Sequence, residues 1–237
     1  MLSEVLGILF VLLLMVGVPV LSYLTSRDPR LRIAPRTAIY FSAVMSQWLL
    51  GVVGILFVLA TDWKSSEIGF QGAPWQASLA WSAILIAATL TAEGLSLLLE
   101  RAGWWPEESE LVRLLIPETR REKVWAIFAV STTAALCEEF LYRGILLALL
   151  VEWLHSVPWA WAISSISFGM AHVYQGASGA VRAAALGALL AYPVLHLGTL
   201  YPSMAAHFTV DAVALAWLGP KFLPRKQETD GGSSYAS

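Results

Sequence analysis

Three ionisable residues lie within six positions of one apolar stretch, Cys137-Glu138-Glu139-Phe140-Leu141-Tyr142-Arg143-Gly144. The surrounding segment runs from about Val124 to Trp153 and has the character of a membrane-spanning helix. A charge at membrane depth costs ~3 kcal/mol on insertion scales, so a chain that keeps three of them is using them. On a helix Glu139 and Arg143 are four apart and share a face, which lets them pair. Glu138 points about 100° away and stays free of that pair. One acid held by an arginine, with a second acid beside it, is a pattern suited to acid–base chemistry.

Three more polar residues lie in later apolar stretches. Phe168-Gly169-Met170-Ala171-His172 carries one histidine, and His207-Phe208-Thr209-Val210-Asp211 carries a second with an acid on the same face. If the chain turns near His155 to Val157, Glu138 and His172 stand at nearly the same height on neighbouring helices. A lone intramembrane histidine is more often a helix–helix hydrogen bond, and an Arg–Glu pair is often a structural staple. That bland reading covers His155 and His196 at helix ends, and part of what Glu139 and Arg143 do. It covers the set Glu138, His172, His207 and Asp211 poorly, because these four lie on three helices at compatible depth.

The elements that must position these residues are helices in a membrane. Of the 237 residues, 57% are hydrophobic and 14% charged, and the mean hydropathy is +0.66. Soluble domains carry about 25% charged residues. The fold class expected is all-α, a polytopic membrane protein with about seven transmembrane helices and an active site between the fourth, fifth and seventh. The spans read as Leu2 to Leu24, Ala38 to Ala60, Ala77 to Leu99, Val124 to Trp153, Pro158 to Tyr174, Arg182 to Leu197 and Thr199 to Leu218. The first span has neither a basic n-region nor a small-residue cleavage site, so it reads as a retained helix. A short surface helix is expected at Leu111 to Ile116, and Pro117-Glu118-Thr119 starts the fourth span. The sixth span has 16 residues, ~24 Å, which is short for a bilayer core. The turn after it, Gly198 to Pro202, is therefore expected to sink and carry His207 towards the depth of Glu138. Residues 1–218 form one domain with a catalytic core over 118–218, and the tail from Gly219 to Ser237 reads as disordered. Glu93, in the third span, reads as an interfacial acid.

With the N-terminus outside and the C-terminus inside, 13 of the 15 Lys and Arg fall on the inner side. They are Arg27, Arg30, Arg32 and Arg36; Arg101, Arg113, Arg120, Arg121 and Lys123; Arg182; and Lys221, Arg225 and Lys226. The compact chain reads as bacterial, hence as a protein of the cytoplasmic (inner) membrane. The net charge of −2 says little about partners; the partners expected are the membrane and a peptide or protein substrate, with no nucleic acid. The single cysteine, Cys137, excludes an internal disulfide and a multi-cysteine metal cluster, and it reads as a small buried apolar side chain.

Glu-Glu-x-x-x-Arg, then Phe-x-x-x-His, then His-x-x-x-Asp, in this order, resembles the CAAX protease and bacteriocin-processing (Abi) family of intramembrane proteases. This family includes the Ras-converting CAAX endoprotease. The resemblance covers about Glu118 to Leu218, and the first three helices carry no part of it. It implies hydrolysis of a peptide bond in a membrane-tethered or lipidated protein by a glutamate-activated water. Carried over, Glu138 is the general base and His172 also holds the water. Glu139 and Arg143 fix the geometry, and His207 and Asp211 take the oxyanion positions. The CAAX endoproteases have Asn where this chain has Asp211, and an ionised Asp211 cannot donate to an oxyanion. It would instead orient His207 and keep it protonated, or itself hold a proton.

No cofactor is expected. The alternative is zinc, since Glu138, His172, His207 and Asp211 suit it in ligand type. Other protease signatures are absent: no His is followed by Glu, and no Gly-x-Gly-Asp occurs. A transporter would carry two related halves, and the first 120 residues hold no echo of Glu-Glu-x-x-x-Arg. A non-catalytic scaffold or immunity protein is the third class, and the intact motif set argues against it.

Overall fold

The computed structural model describes residues 2–106 and 109–218. Glu107, Glu108 and the tail expected to be disordered, Gly219 to Ser237, lie outside the described residues. Seven helices of 15 or more residues and one short helix account for most of the described chain. In order they are α1 (Leu2–Ser26), α2 (Arg36–Thr61), α3 (Trp75–Arg101), α4 (Glu110–Leu115), α5 (120–154), α6 (Val157–Ala171), α7 (Gly176–Leu197) and α8 (201–218). Among the described residues there is no strand, only one isolated bridge between Phe70 and Thr199. The protein is an all-α, polytopic integral membrane protein. Four of its helices, α1, α2, α3 and α7 with the turn before it, are long and apolar enough to cross a membrane.

Local signals set the helix ends. Pro35 and Pro74 precede α2 and α3, and Pro158 and Pro202 sit in the first turns of α6 and α8, where a missing N–H costs nothing. Thr119 and Glu122 form a reciprocal capping box at the start of α5. Gly198, at φ 67°, ends α7 in the left-handed conformation that glycine adopts without penalty. The helices turn large apolar side chains outward, among them Leu2, Leu24, Leu49, Leu59 and Leu79. That suits a lipid-facing surface.

Two expectations need correction. The sixth span is α7, which starts at Gly176 rather than Arg182 and has 22 residues, ~33 Å of helix. The small residues of Gly176-Ala-Ser-Gly-Ala let α7 lie tightly against α6. A Cβ on Gly169 would meet the Ala180 carbonyl oxygen at 2.6 Å. Arg182 is consequently a residue within α7, not a loop cation, and it pairs with Glu93 on α3 at 3.6 Å. The fifth span, α6, stops at Ala171, and His172 is its C-terminal cap.

The turn between α7 and α8 is buried for a different reason from the one expected. Thr199 and Leu200 are fully buried beneath the segment joining α2 and α3. The Leu200 amide donates to the Gly69 carbonyl at 2.9 Å. Gly69 has φ +82°, and a Cβ there would meet the Leu200 side chain at 2.8 Å, so only glycine suits this contact.

Candidate active site

The site lies where α5, α6 and α8 meet, with α2 closing one side. On α5, Glu138 ends an α-helical stretch and a π-helical stretch covers Glu139–Leu146. Such local widening of a helix is frequent at functional sites. All eight residues of the stretch are buried. Arg143 Nη1 donates to Glu139 Oε1 at 3.1 Å, and the two side chains are 1% and 0% exposed. Two charges so deeply buried need each other and further partners. Arg143 has one in the ring of Phe168, 3.9 Å from its guanidinium carbon, a cation–π contact. Glu139 has one in His207, whose Nδ1–H donates to the same Oε1 at 2.7 Å.

Phe168 therefore does more than space the second motif. Its ring packs under Arg143 and against Tyr142, His172 and His207. Its carbonyl oxygen accepts from His172 Nδ1 at 2.8 Å. A carbonyl can only accept, so the proton of neutral His172 is on Nδ1 and Nε2 presents a lone pair.

Glu138 stands at the centre. Its Oε2 is buried and without a hydrogen-bond partner among the described residues. It faces His172 Nε2 and His207 Nε2, each at 3.8 Å. Those separations are too long for direct hydrogen bonds and suit one small polar atom lying between the three groups. His207 Nε2 also faces Asp211 Oδ2 at 3.6 Å, one turn along α8. The structure thus brings together Glu138, Glu139, Arg143, His172, His207 and Asp211. His155 and His196 lie at helix ends away from them. Cys137 is buried against Gly51 of α2.

The donor types suit zinc. Among the described residues no group of three or more His, Cys, Asp or Glu is arranged to hold a metal ion.

One residue of the site escaped the sequence reading. Gln47 of α2 donates from Nε2 to Glu138 Oε1 at 2.6 Å. The signal for it was a Ser-Gln pair in the middle of an otherwise apolar span.

The family model described as Rce1-like, type II CAAX prenyl endopeptidase, matches residues 120–213. Over these residues the chain is similar to the CAAX protease family. The matched stretch begins at the capping box of α5 and ends just past Asp211, so it spans all three motifs of the CAAX protease resemblance. The likeness is to a family of CAAX-type proteases, and it falls on the part of the chain that carries the site. Comparison with curated proteins and with solved structures gives no match.

Proposed function

We propose that the protein is an intramembrane glutamate endopeptidase that cleaves a membrane-tethered or lipidated, CAAX-type protein or peptide with a water activated by Glu138. The observation that carries this reading is the buried, unpartnered Glu138 Oε2 facing two imidazole nitrogens at 3.8 Å. A water between Glu138 Oε2 and His172 Nε2 donates one proton to each acceptor. Glu138 takes its proton as the water oxygen attacks the scissile carbonyl carbon. Charge develops on the carbonyl oxygen, where His207, protonated on both nitrogens, donates from Nε2. Glu139, fixed by Arg143, holds the other nitrogen of that ring, and Asp211 faces Nε2 and favours the proton there. As the C–N bond breaks, Glu138 returns its proton to the leaving amine. No metal enters these steps.

The reading extends to topology. The N-terminus faces outside, the C-terminus inside, and the membrane is a bacterial cytoplasmic one. Its support is that the two most basic loops lie together at one end of the bundle. Arg36 reaches Glu118 at 2.8 Å, and Arg32 stands 4.0 Å from Glu110.

The test is Glu138→Gln, which keeps shape and removes basicity. Turnover of a lipidated, membrane-tethered reporter peptide by the purified protein in detergent should fall by roughly 10³-fold or more, with thermal stability nearly unchanged. Full activity in the variant removes Glu138 from the base role.

A further inference from the structure

The three motifs and the family match lie after Glu118, yet a hydrogen bond on Glu138 comes from α2, 91 residues earlier in the chain. Gln47 stands in the run Ala43-Val44-Met45-Ser46-Gln47-Trp48-Leu49-Leu50, where an amide facing lipid would lose its hydrogen bonds. Its neighbours on α2 fix where that amide falls. Trp48 Nε1 donates to Thr133 Oγ1 on α5 at 3.2 Å. A Cβ on Gly51 would lie 3.2 Å from Cys137 Sγ, and one on Gly54 would lie 2.9 Å from Leu141 and Phe140 side-chain atoms. Gln47, Gly51 and Gly54 are four and three apart and share one face. The two glycines let the α2 backbone close onto α5, and the amide on the same face lands on the carboxylate.

The contact has a direction. An ionised carboxylate only accepts, so the amide must present its nitrogen. It binds Oε1 at 2.6 Å, while Oε2, the oxygen that faces His172 and His207, is left without a partner among the described residues. A carboxylate held at one oxygen cannot swing about its last side-chain torsion.

We infer that Gln47 is a positioning residue for the general base: by holding Glu138 through Oε1 it dedicates Oε2 to the reacting water. The inference rests on the reading of Glu138 as base. It gives α2, which lies outside the family match, a share in the chemistry without any contact to substrate.

Gln47→Met keeps the length of the side chain and removes the donor, and Gln47→Asn keeps a donor on a side chain one methylene shorter. Both are assayed beside the wild type and Glu138→Gln, as full-length protein in detergent, for kcat and KM on the tethered reporter and for Tm. The expected result for Gln47→Met is a fall in kcat of about 10- to 100-fold, the scale set by small displacements of a catalytic group, with KM and Tm kept. Gln47→Asn should fall between it and the wild type. A wild-type kcat in Gln47→Met alongside an inactive Glu138→Gln overturns the role of Gln47 and leaves the base assignment standing. So does a loss of kcat that tracks a loss of Tm, or a change confined to KM. An active Glu138→Gln overturns the proteolytic reading itself, and this inference with it.

Discussion

The two parts of the chain solve opposite problems. From α5 onward the difficulty is to keep polar groups inside a membrane protein, and the charged ones are held in clusters, with Glu138 Oε2 left without a hydrogen-bond partner among the described residues. Glu139 Oε1 accepts from both Arg143 and His207, and the Phe168 ring lies against Arg143 and both histidines. The helices α1 to α3 present mostly apolar side chains to their surroundings and carry few polar atoms inward. What they contribute is closeness: Gly51 and Gly54 bring α2 onto α5, Gly69 caps the turn before α8, and Gln47 follows where the glycines lead. The difference teaches that the reacting groups and the geometry that aims them need not lie in the same stretch. A family match confined to 120–213 finds only the former.

Breaking the polar side of this comparison should have the largest effect. Arg143→Ala leaves Glu139 buried without its cation, a loss of ~3–5 kcal/mol for a buried pair. The variant should purify in low yield with a clearly lowered Tm as well as lost turnover. A stable but inactive Arg143→Ala protein would show that the pair serves chemistry alone.

Breaking the packing side should cost less. Gly54→Val places methyl groups where Leu141 and Phe140 already stand, and overpacking of this kind costs ~1–3 kcal/mol. Because α2 must then move off α5, activity should drop with stability, and more in Gly54→Val than in Gly54→Ala. Equal Tm and equal turnover in the two variants would separate the α2 contact from the site.

The smallest effect is expected at Asp211, and it bears on mechanism. Asp211→Asn replaces an acceptor facing His207 Nε2 with a side chain that also donates. In the metal-free reaction turnover should be kept or raised, and prolonged chelation should leave the wild type active with well under one metal per chain. Loss of activity on chelation, restored by zinc and deepened in Asp211→Asn, would replace the glutamate mechanism with a metal-dependent one.

Much of this was legible in the residues because it is local. Composition alone demanded a membrane protein, and Pro117-Glu118-Thr119 and the turn from Gly198 to Pro202 marked helix ends close to where the structure has them. The Glu139–Arg143 pair follows from a spacing of four within one helix, and its short contact survives the π-helical turn. Tertiary structure decided the rest. In a helix that lipid surrounds, both faces are apolar, so hydrophobic periodicity does not tell which side faces the protein. The amide of Gln47 signals that it faces protein, but nothing in the α2 sequence shows that its partner is α5, while Leu49 and Leu56 are exposed. The residues before Arg182 that begin α7 are mostly small, and small residues reward helix packing only once α6 is there to pack against. That His207 gives its Nδ1 proton to Glu139 and turns Nε2 towards Glu138 depends on how α8 is rotated against α5. That rotation is set by contacts between residues 68 positions apart, which no local spacing encodes.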